Sequence, residues 1–333
     1  MTGPQPAPRI AVPDAIDPAA LIGFDSQAPV VQFGGATMGT TWQVRAALPA
    51  ALGLDTARLR MLVQARLDGI VQDMSHWEPQ SNLSRFNRAH AGSVCALSPD
   101  MVRVMAEALS VAQATDGAFD PAIGRLTDLW GLGPNTVSAP PTPGDIGHAL
   151  RGSGWTRLQF DPLRSTLRQP GGLWLDLSGI AKGFAVDAVA DLLGQQGLNH
   201  CLVEIGGECV GRGMRPDGDP WWVDVENPEG LPLPRLRVAL HGLAIATSGD
   251  YLRGAHTLDP RTGYPAIHPI TAVSVVHPDC MSADAWATAL SVMGLLAAQR
   301  CAVREHVAVR IVSRDGGEWL SPALTSMMDL EPA

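Results

Sequence analysis

Apolar spacing changes character along this chain and never settles into a regular strand–helix alternation. Over residues 55–75, Leu59, Leu62, Val63, Leu67, Ile70, Val71 and Met74 keep to helical spacing, which predicts an amphipathic helix. Ser98-Pro99-Asp100 opens a second predicted helix, to about residue 114: serine caps it and proline suits its first turn. A third covers residues 180–195, with Ile180, Phe184, Ala188, Val189, Leu192 and Leu193 on one face and Gly194 and Gly197 at its end. Strand-like runs lie on either side: VVQFGG and WQVRAAL early, then CLVEI, WWVDVE, RLRVAL, TAVSVV and VAVRIVS. Ser282 reads as the N-cap of a helix to about residue 300. Strands and helices mixed in this way predict an α+β fold of layered antiparallel sheets with packed helices.

A chain of 333 residues can bury a substantial core. Residues 1–29, rich in Pro, Ala and Asp, read as a loosely attached leader, and residues 30–333 as a single domain. The Gly/Pro-rich stretch 131–143 reads as a surface loop and is the one seam at which two α+β lobes could part. The formal net charge of −9 argues against nucleic acid or anionic lipid as a partner, so a phosphate-bearing ligand must be held locally by a metal, backbone amides or single cations. Five scattered cysteines, with no CxxC pair, suggest neither a disulfide framework nor a zinc site. The first residues lack a basic start followed by an apolar core, and no apolar run reaches membrane-spanning length. The expected address is cytoplasmic, or periplasmic if an export signal has been removed.

The candidate chemistry is spread over several short segments. In SADAWATAL, Asp284 and Thr288 are four apart and share one helix face. A carboxylate, a hydroxyl and nearby carbonyls make the hard oxygen set that Mg²⁺ takes; alternatively, Asp284 simply favours the positive end of its helix. In WLDLSGIAKGFAVDAVADLL, a strand ending at Asp176 passes through Ser178-Gly179 into a helix, presenting amides and a carbonyl to a ligand. Lys182 in that first turn is explained by a bound anion, or by a side chain snorkelling to water. Asp187 reads as a residue of the solvated face or a partner of Lys182. DGAFD (116–120) and SGDYLRGAHTLDPRTGYP (248–265) are turn-rich and dense in ligand groups, and His256 there is a candidate base, acid or donor. Gly206-Gly207 permits close backbone approach, and Trp77 has a ring able to stack, although a half-buried core role is the commoner one for tryptophan. Walker A, GxGxxG, HExxH and GxSxG sequences are all absent.

The order and wording of these segments say more than each alone. MGTTWQV (38–44), MSHWEPQSNLSRFN (74–87), DGAFDPAIGRLTDLWG (116–131), DLSGIAKGFAVD (176–187), EIGGE (204–208), ATSGDY (246–251), HTLDPRTGYP (256–265) and ADAWATAL (283–290) together resemble the ApbE family of flavin transferases, from about Gly34 to Gly294. The resemblance implies a T-fold-like arrangement and Mg²⁺-dependent transfer of FMN from FAD to a Thr or Ser hydroxyl of an acceptor flavoprotein, with release of AMP. It implies side-chain contact of Asp284 and Thr288 with Mg²⁺, joined by the carbonyls of Gly179 and Ala287. Met38, Trp77, Ala118, Phe119, Asp120, Asp176, Lys182 and Leu258 correspond to FAD-lining positions, with Asn87 and Gly207 as neighbours. His256 corresponds to a histidine beside the reacting phosphate, and Asp284 is the rival base. Trp77 stands where many members have Tyr, which keeps the ring and loses the hydroxyl; position 182 varies between Lys and Glu. Two further readings stay open: a Mg²⁺-dependent FAD pyrophosphatase giving FMN and AMP, and a flavin-binding protein without turnover.

Overall fold

The computed structural model describes residues 8–13, 15–249 and 257–328. Its centre is an eight-stranded sheet in which every spatial neighbour is also the next of these strands along the chain. The strands are β1 (Val30–Thr37), β2 (Thr40–Ala47), β3 (Cys201–Ile205), β4 (Glu208–Arg212), β5 (Leu243–Gly249), β6 (Ile270–His277), β7 (Ala308–Ser313) and β8 (Glu318–Leu320). All seven pairings are antiparallel, giving the α+β class that the mixed pattern predicts.

Side chains alternate across a strand, so this sheet can close two cores at once. Val44, Val203, Ile205, Ala244, Ala246, Val273, Val275 and Ile311 face a core shared with helices α1 (Thr56–Met74), α2 (Pro99–Ala114), α3 (Ala181–Gln195), α4 (Cys280–Val292) and α5 (Leu295–Arg304). Leu202, Cys209, Ile245 and Val276 face the other way, into a second core beneath a three-stranded sheet of Arg9–Ala11, Leu236–Leu240 and Trp221–Val225. The expected WWVDVE and RLRVAL strands therefore exist, but as a separate layer. Among the described residues, no helix is long and apolar enough to cross a membrane.

Local signals place several helix ends correctly. Asp55 accepts from Arg58 N–H at 2.7 Å and Ser98 from Met101 N–H at 2.9 Å, capping α1 and α2. Two expectations need correction. Part of the supposed loose leader is tied down: Arg9–Ala11 pairs in parallel with Leu236–Val238, and the Arg9 guanidinium donates to both Glu318 carboxylate oxygens at 2.6 and 2.7 Å. Ser282 does not cap a helix running to residue 300. That helix begins at Cys280 and ends at Val292; Gly294, at φ +77°, turns the chain into α5. Ser282 lies buried within the first turn, its hydroxyl donating to Glu107 at 2.8 Å.

Candidate active site

Helices α3 and α4 meet at a glycine. A methyl group on Gly183 would lie 2.7 Å from the carbonyl carbon of Cys280 and 2.8 Å from Asp284 Cβ, so only glycine permits this approach. The contact brings each helix start against an acidic residue of the other. Asp284 Oδ2 accepts from Gly183 N–H at 3.0 Å, satisfying one of the unpaired donors in the first turn of α3. Asp187 accepts from Cys280 N–H at 3.0 Å and Met281 N–H at 2.8 Å, doing the same for α4. Both carboxylates are buried at 6% exposure. Asp187 is thus neither on a solvated face nor paired with Lys182, as its sequence context suggested. Burial pushes its carboxyl up to about 6, against the two N–H bonds.

Thr288 stands one turn beyond Asp284. A methyl on Gly179 would lie 3.0 Å from Thr288 Oγ1 and 3.3 Å from a ring carbon of Phe119, so the Gly179 backbone, the Thr288 hydroxyl and Phe119 adjoin. Neither the Thr288 hydroxyl nor Asp284 Oδ1 has a hydrogen-bond partner among the described residues. Ala287 lies between them in α4 and is buried.

The loop leading to Gly179 is shaped by Asp176, whose Oδ1 accepts from Ser178 N–H at 2.9 Å and Ser178 Oγ–H at 2.6 Å. His76 Nδ1 stands 3.4 Å from the same oxygen. Burial alone would raise the Asp176 pKa, but the bond and charge of His76 and the Ser178 bonds outweigh it and hold the carboxyl well below its ordinary value. His76 is raised in return, its own burial being overcome by Asp176. Its ring lies 5.5 Å from that of Trp77, which is 58% exposed rather than half-buried in a core.

Lys182 at the start of α3 forms an ion pair with Glu208, the first residue of β4. Glu208 Oε2 is buried without a hydrogen-bond partner among the described residues. Burial raises the Glu208 carboxyl to about 7, with the charge of Asp284 adding to the effect and Lys182 opposing it. Burial likewise raises Asp284, against Lys182 and the Gly183 N–H. The β3–β4 turn carries Gly206 and Gly207, and a methyl on Gly206 would lie 2.9 Å from Thr40 Cγ2. The start of β2, just after the β1–β2 turn that holds Met38 at φ +48°, is therefore set beside Gly206.

The remaining sequence candidates divide. Ala118 and Phe119 are buried, and Asp120 accepts from Ala122 N–H at 2.7 Å and Trp155 N–H at 3.0 Å. Burial raises Asp120 to about 6 despite those bonds. Asn87 is spent on structure: its carboxamide donates to the Leu175 carbonyl at 3.0 Å and accepts from Leu175 N–H at 2.7 Å, pinning the chain beside Asp176. Leu258 packs in a satellite core with Leu126, Ile146 and Ala149, apart from the α3–α4 junction. His256 lies outside the described residues. Sequence reasoning missed His76, Gly183 and Glu208 and misread Asp187. Only Asp187 and Glu208 carried a signal, as acidic residues inside apolar runs.

Fold and site define a class: a mixed α+β protein built on one antiparallel sheet, with an oxygen-rich site where the N-terminus of α3 meets the side of α4. The ApbE family model matches residues 38–311, into β7 and past the last motif, and the chain belongs to the ApbE family. It is similar to the flavin transferase ApbE from Vibrio cholerae (33% identity, TM-score 0.84, 90% of this chain and 99% of that one). The Pseudomonas stutzeri flavinyl transferase ApbE, in its apo form, is similar to the same degree (33%, 0.84, covering 92% and 98%). Over 93% of its length the chain is 31% identical to the FAD:protein FMN transferase of Haemophilus influenzae, covering 94% of that protein.

Proposed function

We propose that this chain is an FAD:protein FMN transferase, moving FMN from FAD to a Thr or Ser hydroxyl of an acceptor protein with Mg²⁺ and releasing AMP. Relatives that match most of its length carry that enzyme name. The observation that carries the reading is the contact of Gly179 with Thr288 one turn from Asp284, which brings a carboxylate and a hydroxyl beside the Gly179 backbone without hydrogen-bond partners for Asp284 Oδ1 or the Thr288 hydroxyl among the described residues. This hard oxygen set fits Mg²⁺, and a cation there would relieve the mutual repulsion of Asp284 and Glu208. When bound, Mg²⁺ supplies Lewis-acid polarisation and charge neutralisation at the pyrophosphate.

The other groups position the substrate. The first turn of α3, beside Gly179 and Thr288, directs partial positive charge at the site, which suits a pyrophosphate. Trp77 offers an exposed ring for the flavin, and Phe119 adjoins Gly179 at the metal-binding side. The acceptor hydroxyl oxygen forms a bond to the FMN-side phosphorus, while the bridging P–O bond breaks and AMP leaves with the bridging oxygen. The hydroxyl proton goes to a base. His256 is the better candidate, because one Asp284 oxygen is held by Gly183 N–H and the other is assigned to the metal.

The test combines the protein, FAD, Mg²⁺ and an acceptor carrying the modifiable Thr, with mass spectrometry for covalent FMN. Asp284→Ala should lower transfer by at least about 100-fold, since a Lewis acid contributes several kcal/mol. Full activity in that variant would sink the metal assignment. AMP without labelled acceptor would indicate the pyrophosphatase instead, and tight FAD binding without AMP a flavin-binding protein.

A further inference from the structure

We propose that Asp187 is a positioning residue of the metal site: by capping α4 it holds Asp284 and Thr288 in the register that a divalent cation requires. This rests on the metal reading given above. Asp187 belongs to α3, and its two oxygens accept separately from Cys280 N–H and Met281 N–H, the first two donors of α4. Asp284 follows Cys280 by four residues and Thr288 follows by four more, so all three lie along one stripe of the helix. Any slip or rotation of the first turn moves both candidate ligands together.

The hold is reciprocal. Asp284 accepts from Gly183 N–H, and Gly183 precedes Asp187 by one turn of α3. The helices are thus tied at two points by carboxylates pointing in opposite directions, at a separation where Gly183 leaves no room for a methyl group. The two ties are not equivalent. A cation on Oδ1 shares the Asp284 carboxylate with Gly183 N–H, whereas both Asp187 oxygens are committed to α4 backbone alone. Asp187 is the tie that metal binding leaves untouched.

Asparagine separates the role from mere packing. Its carboxamide has one acceptor and one donor, so it can serve one N–H but sets a donor against the other. Titrating Mn²⁺ into the full chain should show Asp187→Asn binding about 10- to 100-fold more weakly, the usual cost of removing a group that orients a metal ligand. The metal-free variant should still melt cooperatively, with faster hydrogen exchange at the first amides of α4. Asp187→Ser, which keeps one acceptor in a smaller side chain, should also weaken binding. Wild-type Mn²⁺ affinity in Asp187→Asn, alongside lost binding in Asp284→Ala, would overturn the proposal and leave the metal reading standing. Absent binding by the wild type, or unchanged binding by Asp284→Ala, would remove the metal reading and this proposal with it. Loss of cooperative melting in both Asp187 variants would make Asp187 a residue of folding rather than of positioning, which also overturns it.

Discussion

The two faces of the eight-stranded sheet are closed by different physics. Under the three-stranded sheet, Trp221, Val225, Leu236, Val238 and Leu240 meet Leu202, Cys209, Ile245 and Val276, and the Trp221 indole N–H finds the Arg212 carbonyl at 3.0 Å. Under the helices, the core is just as apolar over most of its area but encloses Asp176, Asp187, Glu208 and Asp284. The first face gains stability from the apolar area it removes from water. The second accepts buried carboxylates, three of them raised above their ordinary ionisation range, in return for fixed oxygen positions. The buried carboxylates of the proposed site therefore all lie on one side of the sheet.

That contrast can be broken by substitution. Trp221→Ala should have the largest effect on stability, about 3–5 kcal/mol, while the KM for FAD of the folded fraction stays unchanged; a shifted KM would show that the two faces are not separable. Asp120→Asn tests the cost of a raised carboxyl. Its folded pKa of about 6 lies above the ordinary 3.8, so its contribution to stability is full below about pH 4 and is lost as pH rises through 6. The loss amounts to something on the order of 3 kcal/mol. Denaturant unfolding from pH 4 to 7 should show a flatter profile in the variant, and identical slopes would contradict the assignment. Gly183→Ala should cost the least stability, about 1–3 kcal/mol by overpacking, yet abolish metal-dependent transfer, because the methyl drives α4 away from α3. Retained transfer would mean that the helix contact is not what sets the site.

Much of this was readable beforehand where the cause is local. Asp55 and Ser98 cap the helices that follow them, and apolar runs such as CLVEI and TAVSVV become strands of the main sheet. The motif wording also pointed to Gly179, Asp284 and Thr288, which the fold brings together at one helix junction. Trp77 was harder, because exposure depends on what the rest of the chain leaves uncovered. Leu258 and Asn87, singled out by the same motif wording, are used for packing and for pinning the Leu175 backbone.

The start of α4 marks the division most clearly. By itself the sequence pointed to a helix from Ser282 to about residue 300, and a helix does run through Asp284 and Thr288, over Cys280–Val292. Serine's preference for caps pointed to Ser282 as its beginning, and that was wrong. The donors of the first turn are satisfied by Asp187, 93 and 94 residues earlier in the chain. A cap delivered across two packed helices leaves no local trace, so only the tertiary structure decided where α4 begins and hence where Asp284 and Thr288 point.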